Sequence, residues 1–412
     1  MNPRGRRRPV TARGEQTVDA LLQAATSAFS EHGFHRTSVA AICRHAHLAN
    51  GTFYQYFANK ESIYLELVAD TSDELLAHLS DRISADAPIH AQLIDALRAY
   101  WQFIETHSER HQIMREAEFV RLDVSQSFYR RLAAFYQSLL QQDPTGVPVT
   151  ALETEALAYS LIGLSEFIAL RYLIWQRAFS TEIVETIDQL LCCGVDLRFE
   201  SPSGPADHAT PAEIPASNGS DRPPEPSTRT QILAAAEAEF GQHGFHAASV
   251  ADIARRAGVA HGTVYTYFPS KEALFTDVVR EINRQLRATI RQQTAGLDDR
   301  RSAEHEGFRA FFAFIGQHAP MYRVVREAEF VGSASERVGP WYYHRLAEGY
   351  VQGIRAAIKR NEWRNVDAEV LAWALMGIAH FWGLRWVVWE RSMPPQEVFA
   401  VLDGLLRAGL TS

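Results

Sequence analysis

Two short runs hold the residues best equipped to act on another molecule, and both are built for hydrogen bonding rather than bond-making. The first is Asn50-Gly51-Thr52-Phe53-Tyr54-Gln55-Tyr56 followed by Lys60; the second is His261-Gly262-Thr263-Val264-Tyr265-Thr266-Tyr267 followed by Lys271. Asn and Gln can pair bidentately with adenine, and hydroxyls and ammonium groups suit anionic partners. Catalytic patterns are missing from the sequence: there is no P-loop, no Rossmann glycine pattern and no nucleophile motif, and the 16 histidines are scattered rather than spaced as ligands. Cys43, Cys192 and Cys193 form no Cys/His cluster. The expectation is a binding protein, not an enzyme, with no metal and no cofactor.

The two runs belong to a duplication. Residues 29–64 and 240–275 align without a gap at an offset of 211, with 19 of 36 positions identical. Solenoid repeats run ~20–50 residues, so this period marks a duplicated domain instead. The likeness continues: Arg115-Glu116-Ala117-Glu118-Phe119-Val120 recurs as Arg326-Glu327-Ala328-Glu329-Phe330-Val331 at the same offset. Gly163, Phe167, Leu170, Arg171 and Trp175 recur as Gly377, Phe381, Leu384, Arg385 and Trp389 at an offset of 214, so a net three-residue insertion lies between. Between the copies, residues 200–226 carry seven prolines and almost no large apolar side chain, which reads as a linker.

Apolar content of 46% supplies two cores. Periodicity is helical nearly throughout, as in Leu21, Leu22, Ala25, Ala28 and Phe29, and no alternating strand pattern is convincing. The expected fold is all-α, with about nine helices in each half. Runs 156–175 and 370–389 approach the ~20 residues needed to cross a bilayer, but they carry Glu166, Arg171, His380 and Arg385. Buried subunit-contact helices are the better reading. With no leader pattern after the basic start and no paired cysteines, a reduced cytoplasmic location without a membrane is expected.

In the second copy Ser249 and Asp252 form a capping box, Gly258 supplies a turn where positive φ is needed, and a helix follows from about residue 260 to 268. Two short helices across such a turn make a helix-turn-helix, whose second helix enters the major groove of DNA. Gly33-Phe34, Ile42, Gly51-Thr52-x-Tyr54-x-Tyr56-Phe57 and Lys60-Glu61 carry a resemblance to the TetR family of regulators. Gly244-Phe245, Ile253, Gly262-Thr263-x-Tyr265-x-Tyr267-Phe268 and Lys271-Glu272 carry it again. The resemblance implies two tandem units, each a three-helix DNA-binding head and a helical ligand-binding and dimerisation body. The expected boundaries are 1–62 and 63–199, linker 200–226, then 227–273 and 274–412. It also implies that Thr52, Tyr54, Thr263 and Tyr265 face phosphates with Lys60 and Lys271, that Asn50, Gln55, His261 and Thr266 read bases, and that Tyr56 and Tyr267 belong to the same DNA-binding set. Phosphate contacts set register; base contacts carry specificity.

The copies are unlike. His47 replaces Gly258, predicting a slightly distorted first turn, and Ala41 replaces the capping Asp252. Residues 1–60 hold eight Lys/Arg against three Asp/Glu, including the arm Arg4, Arg6, Arg7, Arg8 and Arg13, whereas residues 228–271 hold four against three. Unlike base-reading residues predict an asymmetric double-stranded operator. Since the family pairs its last two helices across subunits, a repressor acting as an intramolecular pseudo-dimer is expected, with a homodimer of chains as the alternative. A helical scaffold with degenerate heads is the competing function. The family's body usually holds an effector, and the aromatic content suits a small apolar or aromatic one such as an acyl thioester. Arg115, Glu116, Phe119, Arg326, Glu327, Phe330 and Phe381 are the candidate ligand residues, with salt-bridge pairing the competing role for the charged ones. Arg171 and Arg385 need partners, for which Glu118, Glu329 or the opposite half are candidates.

Overall fold

The computed structural model describes residues 11–141, 150–176, 178–193, 227–297, 299–332 and 337–408. Arg4, Arg6, Arg7 and Arg8 of the expected arm, and the expected linker, lie outside the described residues. Among the described residues there is no β-strand. The first half runs α1 (Ala12–Arg36), α2 (Val39–His45), α3 (Asn50–Tyr56), α4 (Lys60–Asp81), α5 (Ile89–Thr106), α6 (Ser108–Val120), α7 (Leu122–Leu140), α8 (Ala151–Ile168) and α9 (Thr181–Cys193). The second runs α10 (Thr228–Ala247), α11 (Val250–Ala257), α12 (His261–Tyr267), α13 (Lys271–Gln293), α14 (Arg300–Gln317), α15 (Ala319–Glu327), α16 (Gly339–Lys359), α17 (Ala368–Trp382) and α18 (Gln396–Arg407). Helices α8 and α17 continue as π-helical segments, Ala169–Trp175 and Gly383–Trp389.

Local sequence explains the head. Thr11 caps α1 by accepting from the Gly14 N–H, and Val18, Leu21, Ala25, Ala28 and Phe29 form its buried stripe. Gly33 then takes φ 73°, open to glycine at little cost, and Phe34 folds back to meet Tyr64 at 4.9 Å. Gly244 repeats the turn at φ 77°. Asn59 and Ser62 form a reciprocal capping box that starts α4. The expected boundaries at 62/63 and 273/274 fall inside α4 and α13, so head and body share one continuous helix in each half.

The bodies meet through α8 and α17, the most extensive helix contact in the molecule. Both are apolar around almost their whole circumference, as a helix buried on all sides must be. Although long and apolar enough to span a membrane, they are largely buried within the protein. At the crossing, a Cβ on Gly163 would stand 2.4 Å from the backbone of Gly377, and one on Gly377 would stand 2.2 Å from the Gly163 oxygen. No side chain fits there. The Trp382 indole N–H crosses the seam to donate to the Ala156 carbonyl (3.0 Å) and the Ser160 hydroxyl (3.1 Å). Helices α9 and α18 flank the pair and complete a four-helix interface.

Charged pairs ring this apolar seam, and they correct one expectation. Arg171 pairs with Glu369 and Arg385 with Glu155 (2.7 Å), each across the two halves. Of the candidates named from sequence, only the opposite half was right. Glu118 and Glu329 instead bind Arg326 and Arg115, again across the halves.

Replacing Gly163 by valine should cost at least about 1–3 kcal/mol, the usual range for overpacking, because backbone rather than a flexible side chain opposes it. Urea denaturation of the full chain measures this. A wild-type midpoint in the variant would show that the helices do not cross at this point.

Candidate DNA-binding interface

Each helix-turn-helix is hung on the core by one apolar residue of its second helix, Phe53 in α3 and Val264 in α12, both buried. With that face inward, the opposite face of a seven-residue helix must point to solvent. Tyr54 is 55% exposed, Tyr265 46% and Tyr267 44%, a high value for tyrosine that leaves their rings free for a partner. Asn50, Gln55, His261 and Thr266 are exposed as well, and Thr52, Thr263 and Tyr56 are half-buried. The exposed set therefore contains all four residues expected to read bases, and α3 and α12 present equivalent faces.

The first turn departs from expectation. His47 adopts φ 54° and donates its N–H to the Arg44 carbonyl at 3.2 Å; Leu48 N–H reaches the Cys43 carbonyl at 2.9 Å. Gly258, at φ 70°, donates to Arg255 at 3.2 Å, and Val259 to Ala254 at 3.0 Å. The two turns have the same geometry. Histidine accepts the left-handed conformation at a cost on the order of 1 kcal/mol, and the turn is not distorted by it.

The lysines also sit differently. Lys60 Nζ donates to the carbonyls of Phe34 (2.6 Å), His35 (3.4 Å) and Thr37 (2.9 Å) and lies 4.2 Å over the Phe34 ring. Lys271 Nζ reaches the His246 carbonyl (3.4 Å) and lies over Phe245 at 4.6 Å. Both ammonium groups cap the end of the first head helix, where carbonyls lack helical partners. They hold the head together rather than reaching outward to phosphate.

The residues expected to bind a ligand join head to body and half to half. Glu116 Oε1 accepts the Phe34 N–H at 2.8 Å, and Glu327 accepts the Phe245 N–H at 3.0 and 2.9 Å. These N–H groups were freed by the turns at Gly33 and Gly244, where a Cβ would stand 2.9 Å from Glu116 Oε1 and 3.2 Å from Glu327 Oε1 respectively. Arg115 grips Glu329 with both terminal nitrogens, and Arg326 grips Glu118. Phe119 packs on Phe330 at 5.7 Å, and Phe381 on Tyr129 at 5.0 Å. All seven are thus engaged by the protein itself, because the charged ones are buried and require partners. Sequence reasoning missed the meeting of the heads: the His35 and His246 rings stack at 4.3 Å. Their equal position in the repeat was the available signal.

Burial pushes the Glu116 carboxyl up to about 7, against the opposing pull of the Phe34 N–H and of Arg337, Lys60 and Arg36. Burial likewise lowers His35 and brings His246 down to about 4, with His35, Lys271, Arg36 and Lys60 adding repulsion.

Both helix-turn-helix segments match the family described as bacterial regulatory proteins, tetR family, at residues 21–67 and 232–278. Among curated relatives, the HTH-type transcriptional regulator YhgD of Bacillus subtilis is 26% identical over 175 residues, covering 42% of this chain and 90% of that protein. The HTH-type transcriptional activator FasR of Mycolicibacterium smegmatis is 34% identical over 111 residues, 27% of this chain and 51% of that one. Among solved structures, the transcriptional regulator FadR from Bacillus subtilis in complex with stearoyl-CoA shares 19% identity over 43% of this chain and 96% of its own, with a TM-score of 0.39.

The Glu116 shift sets a pH dependence. An exposed glutamate titrates near ~4.3, so between there and about 7 the folded state holds the extra proton. Its stabilising contribution is complete below that window and is lost as pH rises through it. The two histidines, lowered on folding, act oppositely below ~6.5, so only a difference measurement isolates Glu116. Glu116→Gln keeps the acceptor without the charge. Its stability relative to wild type should climb from near zero at pH 4.5 to a clear gain at pH 8, read by urea denaturation; a flat difference would refute the assignment.

Proposed function

Because this chain belongs to the TetR family and carries two of its units in tandem, we propose that a single chain acts as a covalent pseudo-dimer. Its two heads read one asymmetric double-stranded operator, and an effector bound in the body releases it. DNA-binding regulation is the activity its relatives share. The observation that carries the finer reading is the seam between the halves. Its glycine crossing and four reciprocal Arg–Glu pairs are satisfied within one chain, which favours pairing of the halves over pairing with a second copy. The stacked His35 and His246 bring the heads together across the same seam.

Asymmetry follows from residue identity at equivalent exposed positions: Asn50 against His261, and Gln55 against Thr266. Amide side chains pair with adenine edges, which neither imidazole nor threonine does bidentately. Repression by occlusion of the operator is the simplest outcome of binding there. Effector response is supported by the Glu116 and Glu327 clamps, since a shift of α6 or α15 would bear directly on the end of the first head helix. An effector acts only through its differential affinity for two head arrangements.

Light scattering of the full chain should give the mass of one copy; a mass of two copies would favour a four-headed dimer of chains. Affinity for the DNA around its own gene should fall steeply with salt, with a slope of ~0.9 per phosphate neutralised. A salt-insensitive or absent interaction would favour a scaffold with degenerate heads. Tyr54→Phe should weaken binding by about 2- to 10-fold, the range for one hydrogen bond. Replacing Asn50 and Gln55 by His and Thr should convert the selected site from unlike to matching half-sites. Selection of a perfect palindrome by the wild-type chain would rule out the asymmetric reading.

A further inference from the structure

The halves place different chemistry at equivalent points of the same fold. At the centre of the first body, Glu166 is fully buried and accepts from the Tyr100 hydroxyl (2.9 Å) and the Tyr129 hydroxyl (3.4 Å). It also pairs with His111 Nε2 at 3.0 Å and stands 3.5 Å from Arg115 Nε. Every group there has a partner, so a ligand entering would leave a buried charge uncompensated, which is strongly unfavourable.

The matching positions in the second body, 211 or 214 residues on, are His380, Phe311, Tyr343 and Tyr322. The carboxylate has become an imidazole, bonded to the Tyr322 hydroxyl at 2.6 Å. Tyr343 is 3% exposed, yet its hydroxyl has no hydrogen-bond partner among the described residues. It lines a cavity of about 30 Å³ with Tyr322, His380, Phe311 and Phe167 of the first half. A buried hydroxyl without a partner is unfavourable, and a ligand oxygen would remove that penalty.

Beyond Ile290, Leu346 and Tyr350, which line both spaces, opens a cleft of about 290 Å³ carrying Arg287, Arg291 and Arg300. Glu304, also in its wall, is bound by Arg300. Arg287 and Arg291 have no ion-pair partner among the described residues; burial lowers the Arg287 guanidinium from its ordinary value, and the charges of Arg345 and Arg291 lower it further against the pull of Glu348. In the first half the positions of these three arginines are Leu76, Ser80 and Ile89, and that of Gly349 at the cleft's edge is Phe135. The basic mouth exists in one half only.

Resting on the reading of this chain as effector-responsive, we propose that it holds one effector site rather than two. The site lies in the second body and takes an amphipathic anion. The anionic group binds Arg287 and Arg291, and the apolar part displaces Tyr350 to reach the Tyr343 hydroxyl and the surrounding aromatics. The first body is a sealed counterpart that completes the site through Phe167. The ligand would touch Tyr322 on α15, under the Arg326 guanidinium (5.1 Å) and one turn from Glu327, so it acts first on the second head.

The test is calorimetric titration of the full chain, without DNA, with cis-parinarate, with palmitoyl-CoA and with uncharged methyl palmitate. One anion per chain is expected; tight binding of parinarate alone, or of palmitoyl-CoA alone, supports the site and identifies a carboxylate or a phosphate head. Gly349→Phe copies the first half, and a Cβ there meets nothing within 4 Å. It should abolish binding while leaving the thermal melt unchanged. Joint replacement of Arg287 and Arg291 by Glu should weaken both anions about tenfold or more, as expected for charged hydrogen bonds. Two anions per chain, binding indifferent to Gly349→Phe, methyl palmitate binding as well as the anions, or no binding to any probe would each overturn the proposal. Because no operator is present, loss of DNA binding with one-to-one anion binding intact would refute the regulatory reading and leave this one standing.

Discussion

The crossing of α8 and α17 at Gly163 and Gly377 is the constraint on which the rest of the molecule depends. Backbone meets backbone there, with no side chain between the helices, and that approach positions the contacts flanking it. Beside it the Trp382 indole reaches the Ala156 carbonyl, and Arg171 and Arg385 reach Glu369 and Glu155 across the halves. Both arginines sit on π-helical segments, whose extra residue per turn alters the direction of a side chain. The apolar seam supplies most of the stabilisation. The flanking ion pairs contribute mainly register, because desolvation offsets much of their attraction.

From that seam the repeated Arg-Glu-Ala-Glu-Phe-Val run carries the geometry outward. Its arginine and its second glutamate face the other half, while its first glutamate faces its own head. One short run thus ties its own body to its own head and to the other half, helical throughout in α6 but continuing past the end of α15 in the second copy. Lys60 and Lys271 close the same joint from the head side, and α4 and α13 pass through it without a break. A head that shares a continuous helix with its body and is clamped at the Gly33 or Gly244 turn cannot move alone. In each half the body thus meets its head at the end of the first head helix.

Much of this was legible from residues alone because it is local. The capping residues, the glycine turns and the alternation of buried Phe53 or Val264 with exposed neighbours act within a few positions of the chain. His47 shows the limit even there: its type suggested distortion, yet a side chain free in solvent and an unchanged hydrogen-bond pattern let it adopt the glycine geometry. Lys60 and the Arg115–Glu116 pair were misplaced for a different reason. A charged residue's type states that it needs a partner, but not which partner. For Arg115 that partner is 214 residues away, and for Glu116 it is a backbone N–H released 82 residues earlier.

Residue order alone was enough to read an all-helical, duplicated chain, a helix-turn-helix near the start of each copy, and the exposed side chains of that motif. These follow from periodicity, capping and repeat spacing, all of them short-range. Three-dimensional packing supplied the rest: the two halves close on each other within one chain, the repeated charged run joins the halves and the heads, and equivalent core positions became a sealed network in one half and a cavity in the other. Those outcomes depend on which distant helices come to share a few ångströms, and the packing of α8 against α17 makes that choice.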